Sequence, residues 1–220
     1  MDVTHALQTF AIYALPVLFA ITLHEAAHGY VARHFGDMTA HAQGRISLNP
    51  IRHIDPIGTI VVPILILILT RNLIAGGLLF GWAKPVPVNF GNLRDPKRDM
   101  LWVAAAGPGA NFLMALLWAL LFKASAPDGV FASAHLLQMA TIGITVNLIL
   151  MALNLLPIPP LDGGRIAVSL LPVHAAHAYA RVEPFGLFIV VGLLAFGVLD
   201  NVMGPLLRFG EWSLQALIGL

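Results

Sequence analysis

Two histidines and a glutamate near the start of the chain have the spacing of a metal-dependent hydrolase. The stretch HEAAH places His24 and His28 four residues apart, with Glu25 directly after the first histidine. On an α-helix, residues four apart lie on one face, roughly 6 Å from each other. Two imidazoles at that spacing can bind one Zn²⁺, and the adjacent glutamate can act as a general base on a water that the ion activates. The pattern therefore predicts half of a hydrolytic zinc site.

The composition around this motif is that of a membrane protein. The 220 residues are 58% hydrophobic and 10% charged, with a mean hydropathy of +0.83. Soluble domains carry roughly 25% charged residues, so an ordinary soluble domain is excluded. Ionisable side chains inside membrane spans are functional by default, which favours a functional HEAAH over a chance match. A net charge of +1 indicates no nucleic-acid partner, and the lack of cysteine excludes thiolate ligands.

The apolar runs predict an all-α polytopic membrane protein, with one domain over residues 1–220 and its core at 6–205. We expect about five transmembrane helices and a re-entrant extended segment near residues 76–92. In the KPVPV stretch (84–88) the prolines exclude helix and favour an extended, edge-like backbone. The apolar tail, 212–220, is too short to span and is expected at the membrane interface. The five spans are expected at about 6–33, 56–70, 100–122, 135–156 and 184–199.

The distribution of Lys and Arg predicts the orientation of the spans. If the first span ends in the cytoplasm, both histidines lie near its cytoplasmic end. Between the first and third spans the chain must leave the cytoplasmic side and return to it, but the sequence contains only one short helix there. The segment near 76–92 is therefore expected to be re-entrant. Irregular backbone at membrane depth indicates a wet cavity. The basic residues then on the cytoplasmic side are Arg33, Arg45, Arg52, Arg94, Lys97, Arg98, Arg165 and Arg181.

A catalytic zinc needs a third protein ligand, and two residues come into question. His34 follows His28 by six residues, but on a continuous helix this turns it some 120° away and about 9 Å along the axis. Asp162 ends an apolar run in PIPPLDGG (157–164), where prolines unwind the helix and glycines allow close backbone approach. Asp162 is therefore the favoured ligand, and a helix-ending turn of the Pro-x-Asp-Gly type is the alternative.

Three motifs together resemble the site-2 protease family of intramembrane zinc metalloproteases, peptidase family M50. They are HEAAH in the first span, GPGAN at 107–111 and NLLPIPPLDGG at 154–164, and they occur in the family's order. The GWAKPVPVNF segment is similar to the short bacterial branch, which lacks PDZ and CBS domains.

The resemblance implies a set of site residues around one catalytic Zn²⁺. The implied ligands are His24, His28 and Asp162, with Glu25 as catalytic base. It further implies that Asn154 points its side-chain amide into the site, where a neutral donor suits a developing oxyanion. A helix–helix hydrogen bond is the alternative role for Asn154.

Other polar and small residues receive structural interpretations. Gly107, Gly109 and Asn111 match a small-residue motif of the family and are expected to pack helices closely. His174 and His177 could form a second metal site, but two surface histidines that need no metal are the favoured interpretation.

The function implied by the resemblance is zinc-dependent hydrolysis of peptide bonds in membrane-embedded or membrane-adjacent segments, that is, regulated intramembrane proteolysis. The expected location is the bacterial inner membrane, with the active site towards the cytoplasm. The expected partners are the lipid bilayer and a substrate with a transmembrane segment. The sequence does not identify a regulatory partner. Two alternatives are a metal transporter that uses the same ligands and a catalytically silent membrane scaffold.

Overall fold

The computed structural model describes residues 3–53, 55, 58, 61 and 84–219. This part of the chain is all-helical and contains no strand, which confirms the predicted fold class. Short 3₁₀ turns lie at Pro50–His53, Phe90–Asn92 and Glu183–Phe185. The α-helices are α1 (Val3–His34), α2 (Thr39–Ala42), α3 (Pro96–Ser125), α4 (Ala134–Asn154), α5 (Asp162–Leu170), α6 (Val173–Ala180), α7 (Gly186–Ala195) and α8 (Val198–Ile218).

Four helical stretches of the described chain are long and apolar enough to cross a bilayer, and the protein is an integral membrane protein. Three of them are in α1, α3 and α4, where the first, third and fourth spans were predicted. The predicted second span (56–70) and the start of the predicted re-entrant segment (76–83) fall outside the described residues, apart from single positions. The stretches are Ala11–His34, Pro96–Ser125, Ala134–Asn154 and Val173–Ala195.

The C-terminal region differs from the sequence prediction. The fourth stretch begins at Val173 and comprises α6, a 3₁₀ turn and α7, whereas one span was expected at 184–199. Gly197, at φ +65°, then turns the chain into α8. The tail from Trp212 is the end of α8, and Leu214 is buried there against α3 and α4. The interfacial position of this tail stays a prediction; the structure adds that the tail continues α8 and packs on α3 and α4 through Leu214.

Helices α1, α3 and α4 pack together, and α5 packs on α3. Small side chains such as Ala115 and Ala119 line the contact between α3 and α4 and are fully buried. Close approach through small residues is the usual way in which membrane helices associate. The three helices form the frame on which the polar residues of the site are placed.

The break between α4 and α5 sets the position of Asp162. Helix α4 ends at Asn154, the chain turns through the proline-containing stretch 155–161, and α5 starts at Asp162. Tyr179 donates a hydrogen bond to the carbonyl of Pro157, and Gly186 lies directly against Pro159. The predicted unwinding before Asp162 is therefore present, and α6 and α7 hold the turn from outside.

Candidate metal centre

Three predicted ligands from two distant parts of the chain meet in one buried cluster. His24 and His28 lie one turn apart on α1, and their Nε2 atoms are 3.1 Å from each other. Oδ2 of Asp162, at the start of α5, lies 3.2 Å from Nε2 of His24 and 3.3 Å from Nε2 of His28. In the described part of the chain this is the one group of three such residues placed to hold a metal ion.

Hydrogen bonds on the far side of each imidazole determine which nitrogen faces the cluster. Nδ1 of His28 donates to the carbonyl of Val103 at 2.7 Å. Nδ1 of His24 lies 2.6 Å from Oδ1 of Asn111. The amide of Asn111 is oriented because its nitrogen donates to the carbonyl of Ala20 and to Oδ1 of Asn147. Both histidines therefore carry their proton on Nδ1 and present the Nε2 lone pair to Asp162.

The donor set fits a zinc ion. Two imidazole lone pairs and a carboxylate oxygen converge, and Oδ2 of Asp162 is buried without a hydrogen-bond partner in the described structure. Acceptor atoms this close repel unless a proton or a cation lies between them, and a buried unpaired carboxylate is costly. Imidazole nitrogen and carboxylate oxygen are ligand types that zinc takes, and three protein ligands leave a fourth position open for catalysis.

The backbone of α3 passes against the two imidazoles at Gly107. A Cβ at this position would lie 2.6 Å from Nε2 of His24 and closer still to Nε2 of His28. Only glycine therefore lets α3 approach the cluster in this way. Gly109, two residues on, is exposed and would have open space around a Cβ.

The GPGAN motif thus does more than pack helices. Among the described residues Gly109 makes no close contact, so no packing role is seen for it there. The expectation of a packing role was incomplete for Gly107 and Asn111, which contact the histidines directly. The sequence did contain a signal: these two residues are four apart and hence on one face of the helix.

Glu25 lies beside the cluster and is bonded to an irregular segment that follows the undescribed residues. Its Oε2 accepts a hydrogen bond of 2.7 Å from the backbone N–H of Val86. Residues 84–89, the KPVPVN segment, have neither helix nor strand structure, which agrees with the predicted effect of their prolines. The segment and the start of α5 both line a cavity of about 350 Å³, which Glu25 and the three clustered residues line as well.

Asn154 also lines this cavity, at the end of α4. Its side-chain nitrogen donates to the carbonyl of Leu150 in the same helix at 3.0 Å, and not to a neighbouring helix. An amide nitrogen carries two hydrogens, so one remains for a group in the cavity.

The other histidines considered from sequence stay apart from the cluster. His34 is exposed at the end of α1, edge-on to Phe35. His174 and His177 are exposed on α6. None of the three belongs to a metal-binding group among the described residues.

Comparisons with known proteins agree with the geometry. Residues 123–197 match the model of peptidase family M50. The chain is 37% identical over 207 residues to "Putative zinc metalloprotease YwhC" of Bacillus subtilis, an alignment that covers 92% of this chain and 89% of that protein. It is 32% identical over 188 residues to "Putative zinc metalloprotease Rip2" of Mycolicibacterium smegmatis, covering 84% of this chain and 66% of that protein.

The Rip2 protein of Mycobacterium tuberculosis is also 32% identical, over 182 residues, and this chain spans 64% of its length. No solved structure matches the chain. The chain therefore belongs to the site-2 protease family, peptidase family M50. It is an integral membrane zinc metalloprotease.

The contact between Asn111 and His24 leads to a first prediction. Asn111→Ala should weaken zinc binding about 10–100-fold, because the imidazole loses the acceptor that fixes its tautomer and orientation. Competition of the purified variant and of the wild type with a chelator of known zinc affinity measures this. Wild-type zinc affinity in Asn111→Ala would show that His24 needs no such partner.

Proposed function

We propose that this metalloprotease hydrolyses peptide bonds in membrane-embedded or membrane-adjacent segments of its substrates, with His24, His28 and Asp162 as zinc ligands and Glu25 as catalytic base. The observation that carries the proposal is the unpartnered, buried Oδ2 of Asp162 facing two imidazole lone pairs, with Glu25 in the same cavity. The cluster lies near the end of a helix long enough to span the bilayer. A site at that depth is suited to a substrate that is itself in the membrane.

The proposed chemistry divides the work among five side chains and the ion. Zinc held by the three ligands supplies a Lewis acid that polarises the carbonyl and lowers the pKa of water. Glu25 takes the proton of the attacking water and passes it to the departing amine nitrogen. The amide hydrogen of Asn154 that is not used by Leu150 donates to the oxyanion that develops on the scissile carbonyl.

The KPVPVN segment has one edge on which a substrate can pair. Residues 85 and 87 are prolines and offer no N–H, and a residue before proline is restricted to extended backbone. In extended backbone, residues two apart direct their N–H and C=O groups to the same edge. Val86 turns its N–H towards Glu25, so Val88 shares the edge that faces the cavity. An unwound substrate strand would add to this edge, as in other cases of strand addition.

We further infer that the active site faces the cytoplasm of a bacterium, with the protein in the inner membrane. Arg33 lies in the last turn of α1, shortly after His28, and Lys97 lies at the start of α3, shortly before Val103, whose carbonyl accepts from His28. Basic residues therefore flank the cluster on two helices, and basic residues are enriched in cytoplasmic loops.

The transporter and scaffold alternatives fit these contacts less well. A transport site has no need of a carboxylate bonded to an irregular segment, or of an amide donor at the cavity wall. Membership of a metalloprotease family also favours hydrolysis over either alternative.

The test is cleavage in proteoliposomes by the purified wild-type protein. We expect cuts in a panel of single-span test proteins whose spans carry central Asn-Pro or Gly-Pro pairs, since such spans unwind easily. A zinc chelator should abolish the cuts and added Zn²⁺ should restore them. Zinc-loaded protein that cleaves none of the panel, but transports Zn²⁺ into empty proteoliposomes, would support the transporter and contradict the proposal.

A further inference from the structure

The KPVPVN segment has no neighbouring strand in the described structure, so something else must hold it at the cavity. One end is held by Arg45, from the loop after α2. Its Nη2 donates to the carbonyls of Lys84 at 2.9 Å and Pro85 at 3.2 Å, and its Nη1 donates to the carbonyl of Arg52 at 2.5 Å. The planar fork of a guanidinium is suited to several acceptors at once. Arg45 therefore ties the start of the segment to its own loop.

The other end is held by Asp37, which follows α1. Its Oδ2 accepts the backbone N–H of Asn89 at 2.7 Å, while its Oδ1 accepts two hydrogen bonds from Thr39. The carboxylate is fully buried. Burial by itself would raise the pKa of Asp37, but the bonds from Thr39, Asn89 and Asn92 outweigh it, and the pKa lies below its usual range. Asp37 is therefore a charged acceptor at neutral pH, which is the stronger kind.

Between these two anchors, Val86 makes two contacts with α1. Its backbone N–H donates to Glu25, and its side chain packs at Gly29, where a Cβ would lie 3.1 Å from Cγ1 of Val86. Val86 is only 6% exposed. Since Pro85 and Pro87 have no N–H, no neighbouring amide of the segment can replace that of Val86 if the segment shifts.

We propose that Arg45 and Asp37 are positioning residues of the hydrolytic reaction. They clamp the two ends of the KPVPVN segment, so that the Val86 amide fixes the carboxylate of Glu25 beside the cavity. The inference rests on the proposed function for the role of Glu25. Neither side chain lines the cavity, so both act through the segment and not on the substrate.

The activity test compares three variants of the full-length protein. Arg45→Ala should lower kcat by about 10–100-fold, since small misplacements of a catalytic group have effects of that size. Zinc affinity should be unchanged because no ligand is touched. Arg45→Lys should recover part of the lost kcat, because the lysine ammonium keeps the charge but cannot reach all the carbonyls that the planar guanidinium binds. The matched control is Arg52→Ala, since the guanidinium of Arg52 donates to Gly44 within the same loop and not to the segment; its kcat should equal wild type.

A second readout does not depend on activity. The chain has no cysteine, so Val86→Cys introduces a single thiol that keeps the backbone N–H and is buried while the segment is clamped. Adding Arg45→Ala should raise the rate of maleimide labelling about tenfold, because a released segment opens locally. Asp37→Asn, which retains one acceptor oxygen, should raise it less, and Arg52→Ala should leave it unchanged.

The two readouts separate the clamp from the proposed function. Unchanged labelling in Arg45→Ala overturns the clamp, whatever the activity. Labelling that rises while kcat stays at the wild-type level overturns the positioning role. If the wild-type protein cleaves no substrate while labelling rises as expected, the proposed function fails and the clamp stands as a structural device.

Discussion

Glu25→Gln should retain zinc and lose peptide hydrolysis by roughly 10²–10⁴-fold, the contribution typical of a general base. Glutamine has nearly the same shape and keeps a carbonyl oxygen that can accept the N–H of Val86. The substitution therefore removes the basic group without releasing the KPVPVN segment. Cleavage of a membrane-spanning test substrate and zinc content are measured on the same preparation.

The comparison with Glu25→Ala separates the two roles of this side chain. Alanine removes the base and also the acceptor for Val86. In the Val86→Cys protein, adding Glu25→Ala should therefore speed maleimide labelling, whereas adding Glu25→Gln should not. Full cleavage by zinc-loaded Glu25→Gln would mean that the base lies elsewhere.

Gly107→Ala should weaken zinc binding by roughly 10–100-fold. The added methyl group would overlap Nε2 of both His24 and His28. The rings cannot withdraw freely, because Nδ1 of each is bonded to a buried acceptor, Asn111 or the carbonyl of Val103. Overpacking of this kind costs about 1–3 kcal/mol or more, and each 1.4 kcal/mol corresponds to a tenfold change in affinity.

Gly109→Ala is the matched control for this variant, two residues away on the same helix. A Cβ there meets no atom within 4 Å, so zinc affinity should equal that of the wild type. Thermal unfolding of both variants shows whether the helix bundle is intact. Equal zinc affinity in both variants would mean that α3 does not approach the histidines as described.

The meeting of His24, His28 and Asp162 in one cluster could be predicted from sequence because their signals are local or few. The spacing of His24 and His28 determines their common face on any helix. Asp162 stood out because prolines before it break an apolar helix, and α5 indeed begins at that residue. The all-helical fold followed from the long apolar runs in the same way.

The contacts that support the ligands depend on how distant helices pack. No local pattern indicates that Asn111 reaches His24 or that Asn147 orients Asn111. The bond between Val86 and Glu25 joins residues 61 positions apart. Proline chemistry predicted a non-helical, extended segment, but not which side chain the amide of Val86 would meet. The packing of Leu214 in the C-terminal tail is a contact of the same kind, since its burial comes from α3 and α4.

The zinc content of Asp162→Ala beside that of the wild type tests the proposed metal centre most directly. The wild-type protein should hold about one zinc per chain against a chelator, as a three-ligand catalytic site does. Asp162→Ala should lose the ion under the same conditions, while Asp128→Ala, which removes an exposed loop carboxylate, should keep it. Tightly bound zinc in Asp162→Ala would contradict the assignment of the third ligand and with it the proposed centre.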